Sequence, residues 1–373
     1  MKVAILTSSR ADYGIYLPLL KALKADIFFE LHIIAFGTHL SQSHGETIQQ
    51  IIQDGFEVSI TVETMPDGDT PEDISKAMGK TIRNFSDVWS KHSFDLVIAL
   101  ADRYEMFAAC VSLVPYGIPL AHIHGGETTL GAIDDAFRHS ITHMAKFHFT
   151  TTERYKDRVI QLKGSEENVC NVGALSIDNL RSLSLYTIEE FKLQFNIDLT
   201  IPSILITFHP ETVAFEKNSE YIRELVGALK VLADYQLIIN MPNADTMGTM
   251  IREELKAFIK GAKHAIAVES FGVLGYLSCM KHCSMMLGNS SSGFVEASFF
   301  PKYVINLGDR QKGRIVTDNI LNCEIKKNEI LAAVDNFRVI KLNHSCNIYG
   351  DGNAAREIVK TLKASYQVNE RHA

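Results

Sequence analysis

Three carboxylates, two histidines and an arginine fall within residues 122–138. His122-Ile123-His124-Gly125-Gly126-Glu127 is followed, after a short gap, by Asp134-Asp135-Ala136-Phe137-Arg138-His139. The period of a strand predicts His122 and His124 on one face at its end. Gly125-Gly126 would let the backbone approach a ligand closely. Asp134 and Asp135 stand at a predicted helix start, and Arg138, three residues after Asp135, shares its face. Capping does not require so many titratable groups; they point to an acid/base centre. H-x-H is also a metal-ligand pattern, to which His139 and His143 at i, i+4 could add. A metal-dependent hydrolase of that kind wants further histidines at later strand ends, and His209 is the one that clearly meets the demand.

Other polar segments could handle an anion. Ser8-Ser9-Arg10-Ala11-Asp12-Tyr13-Gly14 opens a helix, where backbone N–H groups, the positive dipole end and a guanidinium would coincide. The plain alternative is an N-cap by Ser9 or Asp12 with a surface arginine. Ala101-Asp102-Arg103 poses the same choice: Asp102 as a cap, or Arg103 placed in a first turn, against the dipole, because an anion is near. Phe208-His209-Pro210-Glu211-Thr212 and Met241-Pro242-Asn243-Ala244-Asp245 follow strands in the second half. Gly288-Asn289-Ser290-Ser291-Ser292-Gly293 leads into a predicted helix, Phe294–Phe299, carrying Glu296. Such Gly–Ser turns cradle phosphates with amides and hydroxyls, and Glu296 could accept from two ribose hydroxyls. This turn is not a Walker A loop, and no G-x-G-x-x-G accompanies it. Asp309-Arg310-Gln311-Lys312-Gly313-Arg314 adds cations after the last predicted strand.

The elements that must position these residues alternate. Apolar, β-branched runs at Val3–Thr7, Leu31–Phe36, Val58–Val62, Leu96–Leu100, Pro119–Ile123 and Phe147–Thr150 form a first series. Ile204–Thr207, Leu237–Ile239, Ala265–Val268, Ser284–Leu287 and Tyr303–Ile305 form a second. Amphipathic stretches lie between them, among them Ile15–Lys24, Ile74–Trp89, Tyr221–Leu232, Ile251–Lys260 and Asn328–Arg338. This pattern predicts parallel sheets covered on both faces, and right-handed crossovers make them doubly wound. Eleven strands are too many for one ordinary open sheet. They divide into six and five around the polar segment Gly164–Pro202, giving two Rossmann-like α/β domains. The domains are expected at residues 1–170 and 171–349, with a C-terminal helix in 350–373 packed on the first. An eight-stranded α/β barrel would have to discard three strands. In open parallel sheets, ligands bind beyond the carboxyl ends of the strands, and that is where every polar segment above falls.

Composition removes other classes. The 373 residues are 46% hydrophobic and 22% charged, with a formal net charge of −7. No basic block offers a footprint for nucleic acid or an anionic membrane surface. The longest uncharged apolar stretch, Met106–Ala121, is broken by Pro115, Gly117 and Pro119 and is shorter than the roughly 20 residues of a membrane span. The apolar run near Met1 is too short for a signal peptide. Six cysteines without a C-x-x-C pair read as reduced thiols in the cytoplasm.

Taken together, the motifs resemble the UDP-N-acetylglucosamine 2-epimerases, most closely the hydrolysing bacterial enzymes of sialic-acid and related nonulosonic-acid synthesis. The carrying segments are S-S-R-A-D-Y-G (Ser8–Gly14), A-D-R-Y-E (Ala101–Glu105), H-I-H-G-G-E (His122–Glu127) and I-D-D-A-F-R-H (Ile133–His139). They continue with F-H-P-E-T (Phe208–Thr212), G-N-S-S-S-G-F-V-E (Gly288–Glu296) and G-D-R-Q-K-G-R (Gly308–Arg314), in order along nearly the whole chain.

The resemblance implies a GT-B-like fold with the active site in the cleft between two Rossmann-like domains. Carried over by position, Arg10, His209, Asn243, Ser290, Ser291, Glu296 and Arg310 would hold UDP. Asp102, Glu127, Asp134, Asp135, His124 and Arg138 would be catalytic around the sugar; Arg103 stands among them and is grouped with the UDP-binding residues. Where non-hydrolysing relatives carry a glutamate implicated in acid/base work, this chain has His124. The implied reaction eliminates UDP to a 2-acetamidoglucal and hydrates it to N-acetylmannosamine, with no metal or nicotinamide cofactor. A homodimer or homotetramer is expected. The same chemistry on a UDP-2,4-diacetamido-2,4,6-trideoxy sugar, leading to legionaminic acid, a glycosyltransferase of the same fold, and a non-catalytic nucleotide-sugar sensor are the rivals beside the metal hydrolase.

Overall fold

A computed structural model describes residues 1–42, 45–242, 248–300, 302–337, 342 and 346–370. The chain divides into two compact units. The first comprises Met1–Glu127, Asp134–Ser182 and Ile348–Ala373; the second comprises Thr128–Ile133 and Leu183–Asn347.

Seven parallel strands build the first unit: β1 (Lys2–Thr7), β2 (Glu30–Phe36), β3 (Ile60–Val62), β4 (Leu96–Leu100), β5 (Leu120–Ile123), β6 (Phe147–Thr150) and β7 (Val169–Asn171). Their order across the sheet is 3-2-1-4-5-6-7. The helices between them are α1 (Arg10–Ala25), α2 (Ile48–Gln53), α3 (Pro71–Lys91), α4 (Tyr104–Leu113), α5 (Asp134–Met144), α6 (Glu153–Lys163) and α7 (Leu175–Ser182). Alternation along β1 explains the two layers. Val3 and Ile5 pack with Leu19, Leu20 and Leu23 of α1. Ala4 and Leu6 face Phe85 and Trp89 of α3 and Met106 and Cys110 of α4.

The second unit opens with α8 (Ile188–Phe195) and carries β8 (Ser203–Thr207), β9 (Gln236–Asn240), β10 (Ala265–Val268), β11 (Met285–Gly288), β12 (Tyr303–Leu307) and β13 (Ile320–Cys323). Their order, 10-9-8-11-12-13, repeats the winding of the first sheet. Helices α9 (Asn218–Leu229), α10 (Gly248–Gly261), α11 (Gly272–His282), α12 (Glu296–Phe299) and α13 (Lys327–Phe337) connect the strands. Ile204, Ile206, Leu237, Ile239 and Ile305 meet Ile222 and Leu225 of α9, Ile251 and Leu255 of α10, and Ile330 of α13. The last helix, α14 (Ala354–Glu370), returns to the first unit, where Ile358 and Leu362 join the core beside α1. Buried Asp178 accepts from the Ala354 and Ala355 amides (3.0 and 2.8 Å) and so caps its start. Among the described residues no helix is long and apolar enough to cross a membrane, and all six cysteines are free thiols.

Two open sheets replace the single barrel that was the rival architecture. The first unit continues past residue 170 to Ser182. The segment Gly164–Pro202, read from sequence as a polar separator, contains β7, α7 and α8. The six residues Thr128–Ile133 leave the first unit for the second. There the Leu130 amide donates to Lys312 O (3.0 Å) and the Ile133 amide to Thr212 Oγ1 (2.9 Å). Gly131 sits against the Asp309–Arg310 backbone so closely that a Cβ would collide with it.

Candidate active site

In each sheet the winding direction reverses between the first and fourth strands, and ligands bind at such points. Here these are β1/β4 and β8/β11. The residues beyond them are Ser8–Arg10 and Ala101–Arg103 in the first unit, and His209 and Asn289–Ser291 in the second.

At β1, Ser9 is the N-cap of α1 and forms a capping box with Asp12. Asp12 is buried and accepts from Thr7 Oγ1 (2.7 Å) and from the Ser8 (2.8 Å) and Ser9 (3.0 Å) amides. Burial pushes its pKa up, but His39 and these donors outweigh burial and leave it below the ordinary value. Capping is therefore done by Ser9 and Asp12, and half-buried Arg10 occupies the first helical position, where its charge does nothing for the dipole.

The turn after β4 does not cap α4 through Asp102, as one sequence reading had it; Arg103 holds the N-cap position without a side-chain cap bond. Asp102 instead pairs with Arg138 of α5, a guanidinium only 2% exposed. Arg138 also lies 3.9 Å from Asp135 Oδ1, and Asp135 Oδ2 lies 3.4 Å from His139 Nε2. Arg103 pairs with buried Glu105. Asp134 and Asp135 begin α5, where carboxylates suit the dipole.

The end of β5 departs from a simple strand. His124 has φ of +67°, so the chain leaves extended geometry there and the two histidines do not share the environment that period two predicts. His122 is buried. Its Nε2 pairs with Ala101 O (2.8 Å) and its Nδ1 with Thr142 Oγ1 (3.1 Å). Burial lowers its pKa to about 4. With both ring nitrogens engaged, the H-x-H pair does not offer two ligands. Among the described residues no three His, Cys, Asp or Glu side chains cluster as a metal site. His124 Nδ1 lies 3.5 Å from Glu127 Oε1, which also accepts from Thr151 Oγ1 (3.0 Å) beyond β6. Gly125 and Gly126 serve packing, not ligand approach: a Cβ on Gly126 (φ +81°) would collide with the Tyr155 carbonyl, and one on Gly125 would crowd His122 and Thr142.

In the second unit, Asn289 cross-links two loops: its Oδ1 accepts the His209 amide (2.7 Å) and its Nδ2 donates to His209 O (2.8 Å). Ser290 caps a short 3-10 turn, Ser291–Gly293, and Tyr276 Oη of α11 lies 2.6 Å from Ser292 Oγ. Burial pushes the Tyr276 phenol up to about 12, so it serves as a hydrogen-bonding hydroxyl. The helix expected over Phe294–Phe299 is shorter: α12 starts at Glu296 and spans four residues. Little helix dipole is therefore available to a diphosphate here, and serine hydroxyls, turn amides and Arg310 remain. Arg310 Nη1 reaches Asn289 O at 3.4 Å, and Gln311 Nε2 reaches the same oxygen at 2.9 Å. Asn243 lies outside the described residues.

The structure thus links Asp102, Arg138 and Asp135 in one chain, and His124 with Glu127 in another. It places His209 and the serine turn on adjacent strand ends. Thr151, Tyr276 and Asn289 escaped assignment from sequence. Asn289 alone left a signal, as the amide side chain within G-N-S-S-S-G.

Comparison with known proteins now bears on these loops. Residues 21–363 match the family described as UDP-N-acetylglucosamine 2-epimerase. The polysialic acid biosynthesis protein P7 of Escherichia coli is 34% identical over 97% of this chain and 93% of its own. The GDP/UDP-N,N'-diacetylbacillosamine 2-epimerase (hydrolyzing) of Campylobacter jejuni is 36% identical over 87% of this chain and 84% of its own. The crystal structure of the UDP-GlcNAc 2-epimerase of Neisseria meningitidis bound to UDP-GlcNAc superposes with a TM-score of 0.83 at 20% identity, covering 98% of this chain and 100% of that one. That likeness fixes the fold, which is GT-B-like, with two parallel-sheet α/β domains. On these matches the chain belongs to the UDP-N-acetylglucosamine 2-epimerase family, in its hydrolysing bacterial branch.

Proposed function

We propose that the chain is a hydrolysing UDP-N-acetylglucosamine 2-epimerase that releases N-acetylmannosamine and UDP for nonulosonic-acid synthesis. The observation that carries this is the Asp102–Arg138–Asp135 chain beyond β4, set beside the separate Glu127–His124–Thr151 group beyond β5 and β6. A 2-epimerisation through a glycal needs two acid/base stations, and a transferase does not.

The C2 proton of the sugar is not adjacent to a carbonyl, so a carboxylate alone is too weak to remove it. Departure of the diphosphate from C1 builds positive charge there and acidifies C2–H. Arg10, Arg103, His209, Ser290, Ser291 and Arg310 stabilise the leaving UDP by electrostatics, and Glu296 takes the ribose hydroxyls. Asn243, outside the described residues, is assigned with them from sequence. One carboxylate takes the C2 proton as the C1–O bond breaks, leaving 2-acetamidoglucal and UDP. Asp102, held by Arg138, suits that base. Water then adds its oxygen to C1, and a proton reaches C2 from the opposite face. Glu127, sharing the His124 imidazole, suits the returning acid, with Asp134 and Asp135 orienting the sugar. None of these steps calls on a metal or nicotinamide.

The test is incubation with UDP-N-acetylglucosamine in D2O with EDTA, followed by NMR. One deuterium at C2 of N-acetylmannosamine, with activity undiminished by EDTA, is expected. Loss of activity with EDTA supports the metal hydrolase, and UDP release only with an added acceptor sugar supports the transferase. The Campylobacter jejuni relative favours a second reading, the same reaction on a nucleotide-linked 2,4-diacetamido-2,4,6-trideoxy sugar. A higher kcat/KM for that substrate would select it. We place the enzyme in the cytoplasm as a homodimer or homotetramer, to be measured by light scattering.

A further inference from the structure

Glu211, in the loop after β8, is 2% exposed, and nothing above gives it a task. Its backbone is fixed on both sides by buried Asn218, whose Oδ1 accepts the Glu211 amide (2.9 Å) and whose Nδ2 donates to Glu211 O (2.9 Å). Its carboxylate points away to the loop after β12. There Oε1 accepts the Asp309 amide at 2.7 Å, and the Arg310 amide bonds to the same carboxylate. Gly308 has φ of +68°, and a Cβ on it would strike Glu211 Oε1. The glycine is thus required by the carboxylate as well as by the turn.

A buried carboxylate beside a site for an anion is the wrong sign for binding, so direct ligand contact does not explain it. Two backbone N–H bonds do, because they set the direction in which the chain leaves β12 and hence the base of the Arg310 side chain. That guanidinium is held but not saturated. Its bond to Asn289 O is long, at 3.4 Å, and its buried Nε has no hydrogen-bond partner among the described residues.

We propose that Glu211 is a positioning residue for nucleotide binding, holding the Asp309–Arg310 backbone so that the Arg310 guanidinium is ready for a nucleoside diphosphate. This rests on the UDP reading given above. Asn289 and Glu211 then act as two cross-links through which the His209 loop organises the serine turn and the Arg310 loop.

Calorimetric titration of the full chain with UDP tests it in a double-variant cycle. Glu211→Gln removes the charge and replaces one accepting oxygen with a donor, weakening its hold on the two backbone amides, and UDP affinity is expected to fall about tenfold. Arg310→Ala alone is expected to cost at least as much. The combined variant should bind no worse than Arg310→Ala, because Glu211 acts through Arg310. Losses that add, or wild-type affinity in Glu211→Gln, would overturn the proposal, since a merely structural carboxylate gives additive losses. If Glu211→Gln does not fold, Glu211→Asp, which keeps the charge and withdraws the oxygens, carries the same expectations. Failure of the wild-type chain to bind UDP would instead overturn the nucleotide reading itself.

Discussion

Arg138 reaches from the second turn of α5 to Asp102, on the turn beyond β4, and the pair joins a helix and a turn that the sequence keeps more than thirty residues apart. The arginine is buried, while Asp102 retains 16% side-chain exposure, enough for one edge of the carboxylate to meet a substrate. Asp102→Asn should lower turnover by about 10²- to 10⁴-fold, the range of a lost general base, and leave UDP affinity within a few fold. Steady-state kinetics and calorimetry check this together. Loss of UDP binding would move Asp102 from the sugar to the nucleotide.

Removing the other partner should show in stability. Arg138→Ala leaves Asp102 and Asp135 without their shared cation, and breaking a buried pair costs about 3 kcal/mol. Chemical denaturation should record that loss, and Arg138→Lys should recover only part of it, because an ammonium lacks the guanidinium fork. An unchanged denaturation midpoint in Arg138→Ala would show the pair to be energetically idle.

Gly126 offers a test of the packing role of the double glycine. A side chain there must adopt φ near +81° and displace the Tyr155 carbonyl. Strain and overpacking together are expected to cost about 3 kcal/mol. Gly126→Ala should therefore lower the Tm by several degrees. A glycine needed only for ligand approach would instead raise KM and leave the Tm unchanged.

Two buried histidines set the response to acid. Burial lowers the pKa of His122 to about 4 and that of His148, in β6, to about 3. Unfolded, each binds a proton near pH 6.5, so between that pH and the folded value the unfolded chain holds more protons. Stability is full above pH 6.5 and falls as pH drops, by about 1.4 kcal/mol per pH unit for each histidine. Denaturation at pH 7.5, 6.5 and 5.5 should show the decline beginning below 6.5. His148→Leu should reduce the slope by about half, and an equal slope in that variant would remove His148 from the account.

Tyr276→Phe deletes only the hydroxyl that meets Ser292. The serine turn should loosen and UDP affinity drop about fivefold, the value of one neutral hydrogen bond. Affinity equal to that of the unsubstituted protein would leave the turn held by Ser290 alone.

The alternation of β-branched runs with amphipathic helices was legible because strands buried on both faces must be apolar throughout. Leu96–Leu100 and Ala265–Val268 were placed to the residue. What escaped was short or marginal: β7 has three residues and β13 four, each at a sheet edge. Val169-Cys170-Asn171 carries too few apolar positions to set a period. The site divided in the same way. Asp102, Glu127 and Arg310 stood out as candidates by charge at strand ends, whereas Thr151 and Glu211 bond through hydroxyl and backbone groups that no spacing rule encodes. The two glycines misled, since a missing side chain looks the same in sequence whether a ligand or a neighbouring carbonyl fills the space.

The excursion of Thr128–Ile133 bears on inheritance. Four crossings join the units, after Glu127, Ile133, Ser182 and Asn347. A recombination that exchanged the second unit at residue 183 would bring in new loops in place of those carrying Lys312 and Thr212, and strand the hexapeptide between Glu127 and Asp134. The halves of this enzyme are therefore not interchangeable modules. A lineage that changes the second unit must do so by point substitution, or carry the hexapeptide with the swap.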